Sequence, residues 1–195
     1  MGKKVVILAG GGGASKTSLL VAWIAAQMAG SDIDADLVRL ADVDCAALAR
    51  FDLADAGVER LLRLVEEAHG VVVATPIYKA SFAGVVKLAL DILPQFGLAG
   101  KAVLPVATAG SLAHALALDY SLRPVLQSMA ARHIVQSTVV TEADWICSET
   151  GPSLVDKTQD MLLRAVEHFT FALDSRMEVA QLGAPRVLIE QSRVA

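Results

Sequence analysis

Aromatic side chains make up only 5% of this 195-residue chain and charged ones only 19%. With so few large rings, any core must be packed mainly from Ala, Val and Leu, which suits a parallel sheet covered by helices. The net charge of −4 leaves no basic field, which excludes the electrostatic footprint of a nucleic-acid or anionic-lipid binder. Cysteine is nearly absent. Cys45 and Cys147 lie far apart and in no metal-binding spacing, so they read as reduced thiols in a reducing cytoplasm. Long apolar runs are missing too. The run after Met1-Gly2-Lys3-Lys4 is cut short by glycines, too early for a secretory core or a membrane span. The expectation is a cytoplasmic protein with no membrane partner. Nor does any paired carboxylate, metal cluster or Ser-His-Asp arrangement stand out. His69, His133 and His168 read as structural, and Glu66/Glu67 and Asp42/Asp44 as solvated pairs.

What is present is apolar content, 54% of the chain, in a regular alternation. Lys3–Ala9 is a β-branched run that reads as a strand buried on both faces. Four glycines follow, and then Leu19, Leu20, Trp23, Ile24, Gln27 and Met28 trace a helical stripe starting near Ser15–Ser18. The same cycle predicts strands at Asp34–Leu40, Val71–Thr75, Ala102–Thr108 and Ile134–Val140. Helices fall on the Val58–Ala68 stripe and at Phe82–Leu93, Leu116–Ala131 and Leu154–Leu173. Pro105 is out of place in its strand, since proline cannot donate to a ladder. Alternating strands and helices with right-handed crossovers imply a doubly wound α/β fold. The expectation is a flavodoxin-like, five-stranded parallel sheet of order 2-1-3-4-5 with helices on both faces. Residues 1–175 form the domain, and 176–195 are a tail, extended or packed on a partner subunit.

In such sheets ligands bind beyond the carboxyl ends of the strands. Three loops share that edge: Gly10–Ser18, Pro76–Ser81 and Ala109–His114. The first leads into a helix N-terminus, where backbone N–H groups favour an anion. Ser15, Thr17 and Ser18 add hydroxyls and Lys16 adds charge, so a phosphate is the natural occupant. Capping alone would account for one hydroxyl. Two other patterns overlap this stretch. Gly10–Thr17 (GGGGASKT) misses G-x-x-x-x-G-K-[ST] at Ser15, and no strand ends in a convincing Walker-B aspartate. A dinucleotide fingerprint is matched only in part, with Asp42 as the ribose acid. The second loop separates these readings. Thr75, Pro76, Ile77, Tyr78 and Lys79 offer a rigid, apolar and aromatic surface on which a flat heteroaromatic ring can stack.

Thr75-Pro76-Ile77-Tyr78-Lys79-Ala80-Ser81-Phe82-Ala83-Gly84 resembles the flavin-ring loop of the NAD(P)H-dependent FMN reductases, above all the small SsuE and MsuE type of alkanesulfonate utilisation. The likeness continues through Lys87–Pro94, Gly100–Pro105, Ala113–Tyr120 and Arg123–Leu126. The first loop departs from it. That family begins the loop Gly-Ser-x-Arg, whereas here glycines replace the arginine. Weak flavin retention is the implied consequence, which suits an enzyme that releases reduced FMN.

The resemblance implies transfer of hydride from NADPH or NADH to FMN, with no catalytic side chain required and no metal. It implies delivery of reduced FMN to a partner monooxygenase of sulfonate metabolism, from a homo-oligomer, dimer or tetramer. The flavin and nicotinamide site would comprise Gly10, Ser15, Lys16, Thr17, Ser18, Thr75, Pro76, Ile77, Tyr78, Lys79, Ala109, Gly110, Ser111, His114 and Tyr120. An FMN-retaining quinone or azo reductase, or a flavin-binding protein without nicotinamide oxidation, stays open at this point. Pro124 leaves the carbonyl of Tyr120 without its usual helical donor, so a kink or π-type turn is expected there. The resemblance favours the π-type turn, near a tetramer interface and the flavin.

Overall fold

The computed structural model describes residues 2–29, 31–131, 133–148 and 151–174, so the predicted tail lies outside the described residues. Strand β1 (Lys3–Ala9) is flanked by β2 (Ile33–Arg39) and β3 (Gly70–Tyr78), and β3 is followed by β5 (Ala102–Ala109), all parallel. Beyond β5 lie β6 (His133–Ile134) and β7 (Thr138–Thr141). The strand order is the flavodoxin-like 2-1-3-4-5, once the two-residue hairpin arm β4 (Ser81–Phe82) on β3 is set aside and β6 and β7 count as one interrupted strand.

The main sheet therefore has seven strands rather than the five expected. Pro105 explains one of the two extra strands. Val103 accepts the Val135 N–H, so the odd-numbered residues of β5 present their backbone groups to the outer strand. Pro105 falls on that side and has no N–H to offer. The outer strand breaks opposite it, at Val135–Ser137, and the predicted continuous strand Ile134–Val140 becomes two. Pro76 is tolerated in β3 for a related reason. Ala74 accepts the Gly10 N–H on the β1 side, and two residues on, where β1 has ended, nothing needs Pro76 to donate.

Hydrophobic alternation divides the core between the two faces. Val6, Leu8, Val71 and Val73 pack under α3 (Ala56–Glu67) and α4 (Gly84–Asp91). Val5, Ile7, Val72 and Leu104 pack under α1 (Lys16–Met28) and α6 (Asp156–Asp174). α4 is shorter than the predicted Phe82–Leu93 because Phe82 is held in the β4 hairpin and Pro94 stops the far end. Besides β4, three further elements were not predicted. α2 (Cys45–Arg50) is one short helix capped by Asp44, so Asp44 is a cap and not merely solvated. β8 (Trp145–Ser148) and β9 (Gly151–Leu154) form a separate antiparallel pair, which takes Leu154 from the last helix. The predicted helix Leu116–Ala131 is a π-turn at Leu118–Leu122 followed by α5 (Arg123–Ser128).

One carboxylate joins the sheet edge to α6. Asp144 closes the 3-10 turn after β7, taking the Thr141 N–H at 2.6 Å and the Thr141 hydroxyl at 2.7 Å. Its other oxygen accepts the buried Thr158 hydroxyl at 2.7 Å. Burial is the largest influence on this carboxyl and acts to raise its pKa. Hydrogen bonds from Thr141 and Thr158 together outweigh burial and hold it below the usual carboxylate range. A folded-state pKa below the unfolded one adds stability above the unfolded carboxylate value, about 3.9, and loses it as pH falls through the lowered value. Asp144→Ala should cost about 2 kcal/mol near neutral pH, because two hydroxyls and an N–H lose their acceptor. The melting-temperature gap to the parent protein should then close as pH drops below about 4.

Candidate active site

The three loops do meet at the carboxyl edge of the sheet, and their glycines have different tasks. Gly10 donates to the Ala74 carbonyl at 2.7 Å, the last rung between β1 and β3. A Cβ there would lie 2.4 Å from Val86 Cγ2. At Gly11 a Cβ would fall 2.5 Å from the Ser15 hydroxyl and 2.7 Å from Thr17 Cβ. Gly12 and Gly13 face open space, and Gly13 adopts φ +50, which glycine takes without strain.

Ser15 is the N-cap of α1 and accepts the Ser18 N–H at 3.2 Å. The two hydroxyls are 3.1 Å apart, and Ser18 also donates to the Gly13 carbonyl at 2.8 Å. Thr17 is buried, its hydroxyl 2.7 Å from that of Thr108 on β5. It therefore faces the core, and only its backbone N–H is available to an anion. Lys16 is ion-paired with Glu142. The predicted phosphate residues are thus together, but their side chains are engaged with one another.

The second loop is a two-residue hairpin turn. Ile77 pairs with Phe82 and Tyr78 with Ser81, leaving Lys79 and Ala80 at the tip with φ of 50 and 61. A twisted hairpin needs positive φ at both tip positions, and non-glycine residues pay about 1–2 kcal/mol each for it. Thr75 braces the base. Buried, it takes the Ala83 N–H and donates to the Pro76 carbonyl, both at 2.9 Å. Thr75 is therefore turned inward, whereas Tyr78 is 63% exposed.

The β4 arm packs against the π-turn. The Arg123 N–H reaches the Leu118 carbonyl, the five-residue step that defines the turn. Pro124 accounts for it by giving the Tyr120 carbonyl no α-type donor. Tyr120 is 78% exposed, and Leu112 and Leu116 are exposed as well. In the third loop Ala109 is buried at the strand end, Gly110 faces open space, Ser111 is exposed and His114 is half-buried.

Sequence reasoning missed Arg123, which ties the π-turn to the broken outer strand. Its guanidinium donates to Asp119 at 3.0 Å, to the Ile134 and Val135 carbonyls at 3.2 and 3.0 Å, and to the Ser137 hydroxyl at 3.1 Å. Ser137 in turn donates to Asp119 at 2.8 Å. For Asp119, burial is the largest influence and raises the pKa. The Ser137 and Arg123 hydrogen bonds with the Arg123 charge prevail and lower it. The available signal was Arg-Pro directly after a predicted helix distortion. Glu142 carried no signal in the sequence.

The edge is an open shelf, with Gly12, Tyr78 and Gly110 exposed. Two open depressions lie elsewhere, around α5, Phe96 and Pro94, and include none of the three loops. A flat ring with a phosphate arm fits what the shelf offers. Gly12, Gly13 and Gly110 leave room, α1 presents its N-terminus, and Tyr78 and Tyr120 stand exposed. Among the described residues no group of three His, Cys, Asp or Glu side chains could hold a metal ion, and no helix is long and apolar enough to cross a membrane.

The sequence profile of the NADPH-dependent FMN reductases matches residues 3–145. An FMN reductase (NADPH) of Pseudomonas putida KT2440 is 42% identical over 145 residues, covering 73% of this chain and 71% of the relative. An FMN reductase (NADPH) of Escherichia coli K12 is 35% identical over 177 residues, covering 89% and 91%. Among solved structures, the apo form of an NADH:FMN oxidoreductase (EMOB) superposes with a TM-score of 0.84 at 42% identity, covering 94% of this chain and 97% of that one.

Proposed function

This chain belongs to the NADPH-dependent FMN reductase family, and from that premise we propose that it treats FMN as a substrate, releasing it reduced to a flavin-dependent monooxygenase of sulfonate metabolism. The flavin supplies the acceptor chemistry: NAD(P)H + H⁺ + FMN gives NAD(P)⁺ and reduced FMN, with hydride passing from nicotinamide C4 to flavin N5. The chain supplies binding and orientation. The N-terminus of α1, with Gly10, Ser15, Lys16, Thr17 and Ser18, holds the phosphate. The hairpin of Thr75, Pro76, Ile77, Tyr78 and Lys79 backs the ring, Tyr78 forming the exposed wall. Ala109, Gly110, Ser111 and His114 line the far side with Tyr120. No protein nucleophile or base is needed, because the shelf has only to bring nicotinamide and flavin within about 3–3.5 Å. A second copy, in a dimer or tetramer, would cover the exposed Leu112, Leu116 and Tyr120.

The observation that carries the reading is an exposed aromatic shelf set beside a helix N-terminus on one sheet edge. Release of the flavin is supported by the phosphate loop, whose hydroxyls and lysine are already engaged. Steady-state rates with FMN, FAD and riboflavin against NADPH and NADH provide the test. Rapid oxidation of either nucleotide with added FMN is expected, and no oxidation of either would sink the proposal. Tyr78→Ala should raise KM for FMN about 5–30-fold, the loss of one stacking surface worth about 1–2 kcal/mol. Tyr78→Phe should restore most of it.

A further inference from the structure

The positive end of a helix favours a negative charge, yet α1 has no acidic residue in its own first turn. The carboxylate comes from across the sheet. Glu142, in the 3-10 turn after β7, is ion-paired with Lys16, the first residue of α1. Both partners sit on fixed supports. Asp144 locks the Glu142 turn onto Thr141 and Thr158. The Thr17–Thr108 hydrogen bond pins the first turn of α1 to β5, whose Ala109 lies opposite Thr141. The pair itself is open to solvent, with 36% of the Lys16 side chain and 61% of the Glu142 side chain exposed. Such pairs are weak and exchange readily. A rigid arm thus presents a weakly held carboxylate to the lysine that opens α1.

We propose that Glu142 is an internal competitor for the flavin phosphate, holding Lys16 and weakening FMN binding so that reduced FMN departs. This rests on the reading above, in which the phosphate sits at the N-terminus of α1. Lys16 cannot pair fully with both the flavin phosphate and the Glu142 carboxylate. Binding of FMN therefore requires Lys16 to exchange Glu142 for phosphate, and return of the carboxylate favours departure. Riboflavin, which has no phosphate, has no such competition.

Titration of FMN and riboflavin onto the unsubstituted protein, Glu142→Gln and Lys16→Gln/Glu142→Gln tests this by flavin fluorescence. Glu142→Gln should tighten FMN about three- to tenfold, the scale of one exposed charge interaction, and leave riboflavin unchanged. The gain should appear as slower FMN dissociation. In the double substitution the gain should vanish. An unchanged ratio of FMN to riboflavin affinity in Glu142→Gln overturns the inference, as does a gain that survives loss of Lys16. If FMN binds no better than riboflavin in the unsubstituted protein and in Glu142→Gln alike, the phosphate assignment fails while the flavin reading stands. If it binds neither and oxidises no nicotinamide, the flavin reading fails as well.

Discussion

Alanine at position 10 should both destabilise the protein and cripple its flavin turnover. The new Cβ would lie 2.4 Å from Val86 Cγ2 and 3.3 Å from the Ala74 carbonyl oxygen. Val86 is fully buried on α4 and β-branched, so it cannot swing aside as the end of a flexible chain would. Either α4 or the end of β1 must shift. Overpacking of this kind costs about 1–3 kcal/mol, or a melting-temperature loss of roughly 2–10 °C in a domain of this size. The same shift strains the Gly10–Ala74 hydrogen bond that launches the phosphate loop, so KM for FMN should rise at least tenfold. Gly12→Ala is the control that separates fold from site. Its Cβ would meet nothing within 4 Å, so thermal stability should hold while FMN binding weakens. Thermal melts and FMN-dependent rates on the two variants check both halves. Equal melting temperatures for Gly10→Ala and the parent would contradict the close approach.

Arg123→Met should have the other large effect. The substitution keeps the aliphatic stem and removes the fork that serves Asp119, Ser137 and two strand carbonyls. The carbonyls of Ile134 and Val135 sit at the break in the outer strand, where no sheet neighbour replaces the lost donor. Hydrogen bonds from a charged donor are worth about 1.5–3 kcal/mol each, but partial exposure and water discount the sum, so about 3 kcal/mol is expected. The functional effect follows from position. Arg123 supplies the N–H that closes the π-turn, and its side chain anchors that turn through Asp119. Loosening it frees Tyr120, and KM for the flavin should rise together with a fall in kcat. Arg123→Lys, a point charge without the planar fork, should recover only part of the loss. Urea denaturation and steady-state kinetics on both variants are the checks. A Lys variant equal to the parent would show that charge alone suffices.

Much of the architecture was legible because buried parallel strands write themselves as continuous apolar runs. β1 was bounded correctly at Lys3–Ala9 by the glycines on either side of it. What was missed is short or set by partners distant in sequence. α2 spans six residues, too few to show a period, and β4 spans two. The break between β6 and β7 depends on Pro105, which lies some thirty residues earlier but directly opposite in space. The π-turn was legible because Pro124 acts locally on Tyr120.

The site shows the same division. The loops were identified from where strands end, and Tyr78 stands exposed on the shelf as its sequence context implied. The direction of each side chain was not legible. Thr17 and Thr75 look like ligand hydroxyls in the sequence, yet each closes a buried hydrogen bond with a residue on another element or across a turn. Glu142 and Arg123 owe their places to tertiary contacts that no local pattern encodes.

The central claim is that FMN comes and goes as a substrate on an open shelf. The most direct measurement is the visible spectrum of the purified protein after exhaustive gel filtration, followed by NAD(P)H oxidation with and without added FMN. Substrate behaviour predicts colourless protein, negligible oxidation alone, and a rate that saturates as FMN is added. Yellow protein carrying flavin one to one, with a rate indifferent to added FMN, would contradict it.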